Sequence, residues 1–276
     1  MKSRKGNLYT FGCSMTSYSW PTWADILGKE YDYFENWARP GAGNNFIFNS
    51  IIECLIKKTF TEDDTVIVMW SGITRIDYYQ MNEWSHYHSI FDTKSPVSCP
   101  NGAEIISYAL FTAIDKILSS SKSSYSFLSF LDYDLYSKAG SLYRDTLKKI
   151  RKINFPIVSK EVSLTAQHKL QDLYDRHAGV DWPKLIDIFS YDRTVYNTSI
   201  NNEVDSFLQL IGNNKHLYFT NTAQDSHPTP LEHLTALKFI TNLDINESTV
   251  NWVRDIDKKI TQKQPYFFEK FIPERL

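Results

Sequence analysis

The segment Thr65-Val66-Ile67-Val68-Met69-Trp70 constrains the fold more than any other stretch of this chain. A strand with one solvated face alternates polar and apolar residues, whereas this run is apolar and β-rich from its second residue to its last. Continuous runs of that kind belong to strands buried on both faces, as in parallel sheets covered by helices on either side. A chain that contains one needs a second sheet neighbour on each edge of it and a helical layer above and below.

The flanking sequence supplies those parts in alternation. Asn7 to Phe11 reads as a first strand ending at Gly12, and Trp20 to Leu27 as a helix with Pro21 near its start and Gly28 as its stop. Tyr31 to Asn36 is a short strand. Asn44 to Lys57 carries Phe46, Ile47, Ile51, Leu55 and Ile56 along one side of a helix, with Asn44 or Asn45 as its cap. After the Thr65–Trp70 strand the stretch from Ser71 to Gly102 reads as loop. A helix from about Ala103 to Leu118, a strand from Tyr125 to Leu131 and a helical segment from Leu142 to Ile150 follow. Leu217 to Phe219 is the last strand of the pattern, before helices at Thr229–Thr241 and Glu247–Lys259. Alternation of this kind predicts an α/β fold of three layers, α/β/α, around a central parallel sheet of about five strands. Ligands in such sheets sit at the carboxyl ends of the strands.

At 276 residues with 42% hydrophobic and 22% charged side chains, the chain fits a single domain spanning 1–276. The polar, mixed region at about 151–215 is expected to be an insertion or lid within it. A formal net charge of −2 provides no phosphate-tracking surface, so nucleic acid is not an expected partner. Cys13, Cys54 and Cys99 are widely spaced and odd in number, against a disulfide framework or a structural zinc site. The basic start lacks an apolar signal segment, and no run of residues is apolar enough to span a membrane. The expected location is cytoplasmic, away from membranes; nothing in the sequence speaks to oligomeric state.

Two short segments carry the chemistry. Gly12-Cys13-Ser14-Met15-Thr16 puts a hydroxyl just past the end of the first strand, and Asp225-Ser226-His227-Pro228 puts an acid and an imidazole before a Pro-initiated helix. Ser, His and Asp are the three groups that turn a weakly acidic hydroxyl into a nucleophile near neutral pH. Each has a bland alternative: Ser14 as a turn cap, and Asp225 as a cap of the following helix. Cys13 reads as a small core residue, and His233, in the same helix, as a packing or supporting group. The abundant aromatics, among them Tyr78, Tyr79, Trp84, Tyr133, Tyr136 and Trp182, serve either loop packing or the stacking of sugar rings.

Taken in order, these blocks resemble the SGNH hydrolase (GDSL esterase) superfamily. The resemblance implies that Ser14 is the nucleophile, with Cys13 where the family's Gly-Asp-Ser block has Asp, and that His227 and Asp225 complete a triad. Asn36-Trp37-Ala38-Arg39-Pro40-Gly41-Ala42-Gly43-Asn44 looks like the family's second block, with Gly41 as the glycine whose N–H joins that of Ser14 in the oxyanion hole. In the third block the sequence departs from the family. Trp70-Ser71-Gly72-Ile73-Thr74-Arg75 has Thr74 where the family has an oxyanion-hole Asn and Arg75 where it has Asp. Thr74 then supplies a weaker donor, while Arg75 and Asn44 are candidates for substrate contact or support.

The expected function is a serine ester hydrolase or acyl transferase acting on small O-acyl groups, with O-acetyl on a carbohydrate as the favoured substrate. It calls for no cofactor and no metal. Two other classes stay open: a binding or structural module that keeps the fold without the chemistry, and a metal-dependent hydrolase using His86-Tyr87-His88 with Asp225, His227 or His233.

Overall fold

A computed structural model describes residues 4–80, 83–90, 100–153, 215–218, 227–241, 244–262, 264 and 266–273. Five parallel strands form the central sheet: β1 (Arg4–Phe11), β2 (Tyr31–Asn36), β3 (Asp64–Trp70), β6 (Ser124–Ser129) and β7 (Ile150–Lys152), in the order β2-β1-β3-β6-β7. β3 is the middle strand, and Val66 to Trp70 are buried along its whole length. That position explains the unbroken apolar run: with a strand on each edge and helices over each face, no side chain from Val66 to Trp70 is left exposed.

The helices sort into two groups. On one side α1 (Trp23–Gly28) packs on α6 (Pro230–Ile240), which packs on α7 (Glu247–Thr261). On the other α2 (Asn44–Lys57) packs on α3 (Pro100–Ser119), which meets the short α4 (Lys138–Leu142) and α5 (Arg144–Leu147). Between them lies a core that includes Leu8, Phe11, Trp37, Phe46, Val68, Trp70, Phe111 and Phe127. Each such side chain, fully buried, contributes about 1.5–3 kcal/mol relative to exposure. The α/β architecture with a five-stranded parallel sheet is as the alternation predicts.

Three elements differ from the sequence reading. The stretch after β3 is no loop but a hairpin of β4 (Arg75–Gln80) and β5 (Glu83–Ser89), paired antiparallel apart from the main sheet. The helical segment expected to run to Ile150 ends at Leu147, and Ile150–Lys152 joins the sheet as its edge strand. The last predicted strand, β8 (Lys215–Tyr218), pairs antiparallel with β9 (Tyr266–Glu269) in a separate ribbon, so it does not extend the parallel sheet. Short segments lack the length to reveal which sheet they join, since pairing partners are set by tertiary contacts. The expected insertion at about 151–215 falls almost wholly outside the described residues.

Candidate active site

The strand order places a switch point between β1 and β3, because the chain leaves β1 toward one edge and later returns on its other side. Crevices open at the carboxyl ends of strands at such points. Here those ends are Phe11 and Trp70, followed by Gly12–Thr16 and Ser71–Thr74.

Beyond β1 the chain makes one tight turn, with Thr16 N and Ser17 N both donating to Cys13 O, at 2.9 and 3.0 Å. Ser14 occupies the second position of that turn and is 1% exposed. A Cβ on Gly12 would overlap Thr16 Oγ1 and crowd Met69 O, so the turn closes only because residue 12 has no side chain. The Thr16 carbonyl is held from two sides, by Thr22 Oγ1 at 2.6 Å and Asn36 Nδ2 at 2.8 Å.

The second loop is tied to the first. Trp37 N donates to Thr10 O at 2.8 Å and Arg39 N to Gly12 O at 3.2 Å, carrying the β2 exit across β1. Ala42 N then bonds Arg39 O at 3.2 Å, closing the turn Arg39-Pro40-Gly41-Ala42. Gly41 has φ +78°. Pro at the second position and a left-handed Gly at the third are what a type II turn requires. Among the described residues Gly41 N–H donates no hydrogen bond.

The third loop holds Thr74 and Arg75. Arg75 Nη1 donates to Ala42 O at 3.2 Å, bracing the Gly41 turn from below. Thr74 Oγ1 lies over Gly72, 3.9 Å from where a Cβ there would stand. Asn44 is buried, and its amide donates to Ser71 O (3.1 Å) and Ser107 Oγ (3.2 Å) while its carbonyl accepts from Ser71 N (2.9 Å).

His227 reaches this region through stacking. Its ring lies against Tyr18, centroids 3.9 Å apart and planes 18° from parallel. Trp20 Nε1 donates to the Pro228 carbonyl at 2.8 Å, and Tyr18 packs on the edge of Trp20 at 4.7 Å. The turn after Ser14 thus holds the His-Pro segment, which α6 continues with a capping box of Thr229 and Glu232 and Pro230 in its first turn. His233 is buried, and burial, with His227 nearby as the lesser cause, pulls its imidazole down to about 3. It is therefore neutral at working pH. Asp225 lies outside the described residues.

One group went unread in the sequence. The amino terminus of α2 is capped neither by Asn44 nor by Asn45 but by Asp77 of β4, whose carboxylate accepts from Gly43 N at 2.8 and 2.9 Å and from Phe46 N at 3.0 Å. His86 Nδ1 lies 3.2 Å from the same carboxylate. The alternation of polar and apolar residues over Arg75-Ile76-Asp77-Tyr78 was the available signal for the strand that carries Asp77. His86, considered above as part of a metal site, has its ring nitrogens facing Asp77 and Arg39. Among the described residues no three His, Cys, Asp or Glu side chains cluster as metal ligands, and no helix is long and apolar enough to cross a membrane.

No protein-family model matches the sequence, and a search of curated proteins finds no match. Among solved structures the chain is similar to a member of the lipolytic protein G-D-S-L family from Veillonella parvula, at 11% identity over 60% of this chain and 82% of that one, with a TM-score of 0.31. It is also similar to protein YXIM of Bacillus subtilis, at 10% identity over 75% of this chain and 57% of that one, with a TM-score of 0.33.

Proposed function

We propose that this protein is a serine ester hydrolase or acyl transferase acting on small O-acyl groups, O-acetyl on a carbohydrate above all, as a single domain with a lid at about 151–215. Ser14 attacks the carbonyl carbon. His227 takes the hydroxyl proton and returns it to the leaving alcohol, and Asp225 orients the ring. The acyl-enzyme then passes to water or to a sugar hydroxyl. The observation that carries this reading is the stack of His227 on Tyr18, four residues beyond Ser14, which joins the imidazole to the nucleophile's turn.

Oxyanion stabilisation in this scheme comes from the N–H groups of Ser14 and Gly41, with Thr74 as a weaker side-chain donor. Supporting it, Gly41 stands in a left-handed turn tied by Arg39 to the Gly12 carbonyl. Because Ser14 is nearly fully buried, an acyl group reaches its hydroxyl only when neighbouring atoms give way. Labelling by a fluorophosphonate probe tests the reading: modification of the protein, located on Ser14 by peptide mass and lost in His227→Ala, is expected. A folded protein that takes no label, or takes it elsewhere, removes Ser14 as nucleophile and favours the non-catalytic module.

A further inference from the structure

The ester chemistry makes no use of the second acid–imidazole pair, Asp77 and His86. Asp77 is 4% exposed and already accepts two backbone N–H groups from the start of α2, so at its contact with His86 the hydrogen belongs to Nδ1. With its hydrogen on Nδ1, the ring turns Nε2 toward Arg39 Nη1, a permanent donor, 3.5 Å away. Phe46 packs edge-on against the same ring, at 4.6 Å and 89°, and fixes its plane. A continuous line of contacts thus runs from the α2 amides through Asp77 and His86 to one guanidinium.

That guanidinium is the outward end of the line. Arg39 is exposed, and among the described residues no carboxylate pairs with it. Its backbone bonds both Gly12 O and Ala42 N, which roots it between the Ser14 turn and Gly41. A surface arginine held by an Asp–His pair whose side chains are buried is a cation prepared in advance, and among the described residues most of its donors are unspent. Among the described residues its side chain hydrogen-bonds only the His86 ring, which carries no negative charge to balance it. A carboxylate or phosphate is the group that matches a guanidinium in charge and in geometry.

We propose that Arg39, aimed by His86 and Asp77, recognises an anionic substituent, carboxylate or phosphate, on the substrate. That the substituent belongs to an ester rests on the function proposed above; the preference for an anion does not.

The test uses purified full-length protein and three matched acetyl esters: phenyl acetate, 4-acetoxybenzoate and 4-acetoxyphenyl phosphate. The wild type should show kcat/KM at least about tenfold higher for one of the anionic esters than for phenyl acetate, and the better of the two names the anion. Arg39→Ala should bring that ratio to about one, Arg39→Lys should keep part of it, and His86→Phe, which preserves packing but accepts nothing, should lower it with Arg39 in place. A ratio near one in the wild type, or one unmoved by Arg39→Ala, overturns the proposal. If no ester is turned over, the esterase reading fails by itself and calorimetry decides the inference. Glucuronate or glucose 6-phosphate binding more tightly than glucose, and losing that advantage in Arg39→Ala, supports it; equal binding overturns it.

Discussion

The carboxamide of Asn44 exchanges two hydrogen bonds with the backbone of Ser71, accepting from its N–H at 2.9 Å and donating to its carbonyl at 3.1 Å. This contact ties the first turn of α2 to the end of β3, and with it the second loop to the third. It also spends the side-chain amide on the scaffold. With Asn44 engaged, the reaction proposed above would leave oxyanion stabilisation to the N–H groups of Ser14 and Gly41 and to the short hydroxyl of Thr74.

Restoring the longer donor should therefore raise the rate. One oxyanion-hole donor is worth on the order of 100-fold to 1,000-fold in turnover. Thr74→Asn is expected to increase kcat on a small acetyl ester by at least about tenfold, with stability little changed because Thr74 is only half-buried. Equal or lower kcat in a folded variant would mean that Thr74 does not stand at the oxyanion.

Gly41→Ala tests the opposite side of the proposed oxyanion hole. A residue with a Cβ at φ +78° carries strain of about 1–2 kcal/mol. The thermal midpoint should fall accordingly. At a temperature where the variant stays folded, kcat should fall by more than about tenfold, since the turn must shift the N–H to relieve the strain. A stability loss without a rate loss would remove Gly41 from the oxyanion hole.

The triad proposed above predicts a pattern of non-additivity. Ser14→Ala and His227→Ala should each nearly abolish turnover of an acetyl ester, and the double variant should be little worse than either, because the groups act as one unit. Asp225→Asn should leave measurable activity. Steady-state rates on the four proteins check this; undiminished hydrolysis by Ser14→Ala would point to another nucleophile.

The legible parts of this fold are those whose burial is decided locally. β2 and α2 have the same bounds in sequence and structure, and β3 was readable because both its faces are covered. The hairpin β4–β5 was not: its strands alternate, but Arg75, Asp77 and His86 are polar residues that become buried or bonded only against α2 and the Gly41 turn. β8 was legible as a strand and illegible as a partner, because its mate β9 comes some fifty residues later. At the candidate site, what the sequence shows is residue types alone. The contacts that position them, such as Tyr18 on His227 and Asp77 on α2, join segments far apart in the chain and leave no local pattern.

His233 provides a stability test independent of activity. Burial is the main cause holding its imidazole at about 3 in the folded protein, against an ordinary 6.5 when unfolded. Between those values the unfolded chain binds a proton that the folded chain does not, so stability rises with pH there. The contribution is complete above 6.5 and is lost as pH falls from 6.5 toward 3, with a slope of up to about 1.4 kcal/mol per pH unit. Denaturant unfolding at several pH values should show that slope in the wild type. In His233→Phe, which fills the same buried space without a titrating group, the slope from this residue should disappear while the carboxylate contributions common to both proteins remain. Subtracting the two curves isolates the histidine. Parallel curves would mean that His233 takes up its proton in the folded state as readily as in the unfolded one.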